Sequence, residues 1–195
     1  LLKTDSGENI FIDGNGEHTP AFMSYIAGLQ HYTPELISLY APNVNSYRRL
    51  APGIAAPINL NWGLDNRTTA FRVPQSGPAA TRVENRFPGA DVNPYLAFAS
   101  MLMAGLDGIQ NKIHPGDPAD KDLYDLPAEE ALAIPTVAST FDQALDALEA
   151  AHAFLTEGNV FTEDMIQGFL ELKRAEVEKL NSTTHPVEFE MYYSL

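Results

Sequence analysis

The 195-residue chain contains no cysteine. That excludes a disulfide framework, a thiolate nucleophile and any cysteine-ligated metal. Basic residues are scarce as well: 12 Lys and Arg stand against 26 Asp and Glu, a formal net charge of −14. So acidic a chain is a poor partner for the nucleic-acid backbone or for anionic membranes, and neither is expected to bind. Long hydrophobic runs are missing too. The longest nearly apolar stretch, Tyr95 to Leu106, is shorter than the ~20 residues a membrane-spanning helix needs. The lack of cysteine makes the cytoplasm the expected compartment, and the first residues show no basic segment followed by an apolar secretory core. What remains is enough to fold: a hydrophobic share of 45% supports a sizeable core and excludes global disorder.

The few basic residues are unevenly placed. Between Arg48 and Arg86 lie six of the twelve (Arg48, Arg49, Arg67, Arg72, Arg82, Arg86), all arginine, with only two acids, Asp65 and Glu84. This segment carries +4 and the remainder −18. Guanidinium is the group suited to bidentate recognition of carboxylate and phosphate, so the distribution points to a small-anion site.

Local signals outline the elements. Residues 9–12 read as a strand beside the turn Asp13-Gly14-Asn15-Gly16. Thr19-Pro20 supplies an N-cap and an N1 proline for a helix through Phe22, Ile26 and Leu29, and Thr33-Pro34 repeats the signal for a second short helix to Tyr40. Pro42, Pro52, Gly53 and Pro57 mark the next segment as irregular loop. Three alternating runs follow as strands: residues 58–62, 70–73 and 82–87. Asn93-Pro94 caps a helix to about Lys112 with little polar face, which predicts burial against the sheet. An extended loop over 113–139 holds one helical turn near 129–133. Two C-terminal helices complete the chain, 141–155 with a Thr140/Gln143 capping box and 163–180 after Thr162. The expected class is α+β, an antiparallel sheet with packed helices.

The strand over 82–87 carries the most information. Period-2 geometry places Arg82, Glu84 and Arg86 on one face, a plus-minus-plus row opposite Val83 and Phe87. Such a row can be a solvated strand face of mutual ion pairs, which contribute little to stability. Arg67 and Arg72 on a neighbouring strand favour a site. The five histidines (His18, His31, His114, His152, His185) show no close metal-ligand spacing.

Several segments, in order, resemble glutamine synthetase of the bacterial dodecameric type. They are Asn45-Ser46-Tyr47-Arg48-Arg49-Leu50, Asn66-Arg67 with Arg72 five residues on, Arg82-Val83-Glu84-Asn85-Arg86-Phe87-Pro88 and Asn93-Pro94-Tyr95-Leu96. The likeness continues through Met103 to Ile109, Leu123-Tyr124-Asp125-Leu126-Pro127 and His185 to Tyr193. The resemblance implies the C-terminal portion (residues 1–195) of a catalytic domain whose first half, with most of its metal-binding glutamates, lies outside this chain. It implies ATP and Mg2+ or Mn2+ as cofactors, glutamate and ammonia as substrates, a homo-oligomer that is dodecameric in the full enzyme, and no catalysis by this portion alone.

Roles implied by the resemblance fall on particular residues. Glu84 matches a ligand of an active-site divalent cation, and a carboxylate held in orientation between two arginines suits a hard cation. Arg49 and Arg86 match arginines that bind glutamate or its γ-phosphoryl intermediate. Arg67, Arg72 and Arg82 match arginines around the ATP phosphates, and Arg67 and Arg86 are the catalytic pair. Tyr124 matches a tyrosine that some members adenylylate, and the tail after Ser182 matches a segment that reaches into a neighbouring subunit or else packs on its own domain. One position departs: Ala55 stands where glutamine synthetases carry a glutamate that binds and deprotonates ammonium. Paralogues that join glutamate to larger amines, the γ-glutamylpolyamine ligases, often lack that glutamate too. Ligation of ammonia to glutamate is therefore the first expectation. Ligation of a polyamine is the second, and a non-catalytic oligomeric or regulatory partner the third.

Overall fold

A computed structural model describes residues 2–54 and 56–193. Helix α1 (Pro20–Tyr40) starts where the sequence predicts, with Thr19 extended and its hydroxyl accepting the Phe22 N–H at 3.2 Å. It does not stop at Thr33-Pro34: the two expected helices are one, with Pro34 inside it. The buried stripe explains this, because Phe22, Ile26 and Leu29 before the proline and Leu36, Ile37 and Tyr40 after it all enter the same core. The Thr33 hydroxyl donates to the Leu29 carbonyl at 2.6 Å, so burial on one continuous face overrides the local break.

The segment expected to be loop contains a short helix, α2 (Val44–Arg49), whose Asn43 side chain accepts the Ser46 N–H. Helix α3 (Pro94–Gln110) is capped by Asn93, as expected. Its packing differs from the expectation. The buried face is small (Ala97, Ser100, Ala104, Gly105, Gly108) and lies against α1, while Tyr95, Phe98, Leu102 and Leu106 are exposed. Backbone-to-backbone approach selects that face: a Cβ on Gly28 would lie 2.1 Å from the Ala104 carbonyl oxygen, and one on Gly108 2.2 Å from that of Ser24.

The single turn in the long loop is α4 (Ala128–Leu132). The predicted helix over 141–155 is broken at Ala151, giving α5 (Phe141–Ala150) and α6 (Ala153–Thr156). Thr140 caps α5, and the Gln143 side chain returns to the Ser139 N–H at 3.2 Å, one residue before the box expects. Helix α7 (Glu163–Asn181) packs on α5. The tail forms α8 (Pro186–Tyr192), with a capping box between His185 and Glu188, and buries no residue.

Three short strands make one sheet: β1 (Trp62–Leu64), β2 (Phe71–Val73) and β3 (Glu84–Asn85). The α+β class is as expected, but the sheet is mixed, because β1 pairs with the central β2 in parallel and β3 pairs with it antiparallel. The front of the predicted first strand leaves this sheet. Leu60 N–H donates to the Pro135 carbonyl at 2.7 Å and Val137 N–H to that of Ile58 at 2.9 Å. The strand expected at 9–12 is reduced to single bridges at Lys3–Asn9 and Ile12–His18. Phe71 and Val73 on β2, with Phe87 beyond β3, enter the core, and Phe71 meets Phe87 edge to face at 5.8 Å. Among the described residues no helix is long and apolar enough to cross a membrane.

Candidate functional site

With Phe71 and Val73 turned inward, the pleat turns Arg72 to the opposite face of β2. The antiparallel register puts Glu84 directly across from it. Arg72 Nη1 donates to Glu84 Oε2 at 3.0 Å, and Arg86 Nε stands 3.6 Å from Glu84 Oε1. Glu84 thus lies between two guanidinium groups, but the partners are Arg72 and Arg86; Arg82, the other basic residue of the predicted row, is exposed and donates to the Ala80 carbonyl at 3.1 Å. Arg72 also pairs through Nη2 with Asp65, whose carboxylate, through its hydrogen bond, is the main influence raising the Arg72 guanidinium above its ordinary range.

Two donors in this cluster are sealed from solvent without an acceptor among the described residues, Arg72 Nε and Arg86 Nη1, as is the Asn85 amide nitrogen. The arginines are also only partly exposed, with 17% of the Arg72 side chain and 23% of that of Arg86 open to solvent. Partial desolvation strengthens whatever charge-assisted contact these groups make.

Arg49, at the end of α2, donates to the Phe87 carbonyl. It lines an open cleft of about 620 Å³ with Ser46, Gly89, Asp91 and Glu176. Asp91 accepts from Ser46 Oγ at 3.1 Å and from the Asn43 side chain, which ties α2 to the segment after β3. Arg67 is exposed on the turn between β1 and β2. The Asn66 amide holds that turn by donating to the carbonyls of Ala119 at 3.0 Å and Lys121 at 2.8 Å. Leu123 N–H adds a bond to Thr68 Oγ1 at 3.1 Å, so the loop carrying the exposed Tyr124 is anchored beside Arg67.

The structure therefore brings Arg72, Glu84 and Arg86 into direct contact, places Arg49 one residue from Arg86 through Phe87, and leaves Arg67 on an exposed turn and Arg82 exposed in the segment before β3. Ala55 lies outside the described residues. Sequence reasoning gave no role to Asp65, although it counted Asp65 as one of only two acids in the arginine segment, and that scarcity was the available signal.

Among the described residues no group of three or more His, Asp or Glu could hold a metal ion. Glu84 offers one hard oxygen ligand, so it fits a divalent cation only as one member of a larger set. Three of the five histidines serve elsewhere. His185 caps α8, His114 Nδ1 accepts the Gly116 N–H, and His152 bridges the Leu148 carbonyl at 2.8 Å and Glu163 at 3.1 Å.

The family model described as glutamine synthetase, catalytic domain, matches residues 1–192. A glutamine synthetase of Methylococcus capsulatus is 53% identical over 191 residues, 97% of this chain and 41% of that protein. A protein of Cupriavidus pinatubonensis named 3-hydroxylaminophenol mutase is 48% identical over 192 residues, with the same shares. Among solved structures, GmaS in complex with ADP superimposes with a TM-score of 0.83 at 31% identity, covering 98% of this chain and 44% of that one. The chain spans about two fifths of the length of these curated relatives.

Proposed function

The chain belongs to the glutamine synthetase catalytic-domain family, and from that premise we propose that it is the C-terminal portion of a catalytic unit that ligates ammonia to the γ-carboxylate of glutamate with ATP. The observation that carries this reading is Glu84 held between Arg72 and Arg86 on the polar face of the sheet. In the proposed reaction a γ-carboxylate oxygen of glutamate attacks the γ-phosphorus of ATP and ADP leaves; the amine then attacks the acyl carbon, phosphate leaves, and the nitrogen gives up a proton, so that an amide and hydrogen phosphate result. Negative charge gathers on phosphoryl oxygens in the first step and on the departing phosphate in the second.

The work of this chain is compensation and positioning. Arg67, Arg72 and Arg82 are assigned to the ATP phosphates, Arg49 and Arg86 to glutamate and its phosphorylated form. These five arginines outnumber the four acids around them, Asp65, Glu84, Asp91 and Glu176, which favours an anionic substrate pair in an otherwise acidic protein. Sealed donors on Arg72 and Arg86 fit the same reading, because such groups are costly unless an acceptor meets them. Mg2+ or Mn2+, when bound, would supply charge neutralisation of the phosphates, with Glu84 as one oxygen ligand. The rest of the ligand set, and hence turnover, is assigned to residues outside this chain, so the portion alone is inactive. The homo-oligomer, the cytoplasmic setting and modification of Tyr124 belong to the same reading.

Ala55 supports a second reading, a γ-glutamyl ligase for a polyamine or another larger amine, since a methyl group can neither bind nor deprotonate ammonium. The experiment is phosphate release by the intact protein from ATP and glutamate with ammonium, putrescine or ethanolamine. Release with ammonium alone supports the first reading. Release with putrescine alone replaces it by the second, and release with none of the amines leaves a non-catalytic partner.

A further inference from the structure

Of the two acids in the arginine segment, Glu84 has a role in the reading above and Asp65 has none. Asp65 is one of three non-glycine residues with positive φ among those described, at +48°. Its N–H donates to the Val73 carbonyl at 2.8 Å, which extends the parallel pairing of β1 with β2 by one residue, and its carboxylate meets Arg72 Nη2. Arg72 Nη1 is held by Glu84 at 3.0 Å. The two ends of the guanidinium fork are thus fixed by carboxylates from different segments, Asp65 just after β1 and Glu84 on β3. Arg72 Nε meets no acceptor among the described residues, so nothing along the stem duplicates that constraint. Glu84 alone would be a weak guide, because Arg86 shares it.

We propose that Asp65 is a positioning residue that aims the Arg72 guanidinium and thereby sets the nucleotide affinity of the site. This rests on the reading of Arg72 as a ligand of the ATP phosphates. The left-handed backbone, which a β-carbon disfavours, is retained where the carboxylate has to reach across to β2. The turn itself is secured independently, by Asn66 on the carbonyls of Ala119 and Lys121. Substitution at Asp65 therefore removes the aim of Arg72 while the turn stays in place.

The test is calorimetric titration of the intact protein with ADP, beside the KM for ATP and for glutamate. Asp65→Gly, which relieves the positive φ and deletes the carboxylate, is expected to weaken ADP binding and raise the KM for ATP by about tenfold, the scale of one charge-assisted hydrogen bond. The KM for glutamate stays within about twofold and the unfolding midpoint does not fall. Asp65→Asn, which tolerates the same backbone and keeps a carbonyl acceptor for Nη2, restores part of the affinity. In an Arg72→Ala background Asp65→Gly adds no further loss. Unchanged or tighter ADP binding in Asp65→Gly, with Arg72→Ala weakened, overturns the positioning role alone. Unaltered ADP binding in Arg72→Ala overturns the nucleotide reading and the proposal with it.

Discussion

Gly28→Ala is predicted to destabilise the protein although alanine is the better helix former. Gly28 sits in α1 where it crosses α3, and an added Cβ would lie 2.1 Å from the Ala104 carbonyl oxygen and 3.0 Å from both the Ala104 carbonyl carbon and Gly108 Cα. All three obstacles are backbone, so no side chain can swing away. Restoring an ordinary 3.4 Å contact requires the helices to part by about 1.3 Å, the difference from 2.1 Å. A gap of that size forfeits much of the dispersion attraction along a buried crossing, and overpacking of this kind costs about 3 kcal/mol. The helix-propensity gain of Gly→Ala offsets about 1 kcal/mol, which leaves a net loss of about 2 kcal/mol. Gly168 in α7 is the internal control, since it is exposed and a Cβ there meets nothing within 4 Å. Gly168→Ala should therefore stabilise by up to about 1 kcal/mol. Urea denaturation followed by circular dichroism reads both as shifts of the midpoint at constant slope, in opposite directions. A Gly28→Ala midpoint at or above wild type would refute the close-crossing argument.

Two further perturbations have defined signs. His152 meets a carbonyl at Nδ1 and a carboxylate at Nε2, so only the doubly protonated ring donates to both; burial opposes that charge, but the Leu148 carbonyl and Glu163 together raise the imidazole above its ordinary value. Stability from this bridge is fully present below the unfolded value of about 6.5 and lost as pH rises through the higher folded value. The Glu163 carboxyl is lowered, first by Gln167 and then by His152, so its share is lost as pH falls through its own folded value. His152→Gln should consequently lower the unfolding midpoint most near pH 6 and least near pH 9, and a pH-independent difference would contradict the bridge. Thr162→Ala removes the side-chain acceptor of the Met165 N–H at 3.2 Å and should cost about 1 kcal/mol, read as a lower thermal midpoint.

Much of the helical framework was legible because caps are local chemistry: Thr19, Asn93, Thr140 and Thr162 each accept the backbone N–H that their position in the sequence predicts. Pro34 misled for the complementary reason. Its effect is local, whereas the stripe that carries α1 through it is made by residues on both sides packing into one core. Helix α2 went unseen because six residues hold too few apolar positions to show a period. In α3 apolar residues all round suggested uniform burial, but the approach to α1 is limited by glycine and alanine, so the large side chains Tyr95 and Phe98 fall on the open face. Alternation made the neighbourhood of Glu84 and Arg86 readable, but not that Arg82 lies outside the short β3 and turns to the Ala80 carbonyl. That Arg72 and Asp65 join Glu84 depends on strand register and on a turn with positive φ, which spacing along one strand does not encode.

The central claim is that Glu84, between Arg72 and Arg86, belongs to the catalytic centre of an ATP-dependent glutamate ligase. The most direct measurement is phosphate release from ATP in the presence of glutamate and ammonium, by the intact protein and by its Glu84→Ala variant. Glu84 is 41% exposed at the side chain and occupies a polar face, so its loss should leave the circular dichroism spectrum and the unfolding midpoint nearly unchanged. The account predicts ammonium-dependent release in the parent and its abolition in the variant; near-normal release by a folded Glu84→Ala protein would contradict it.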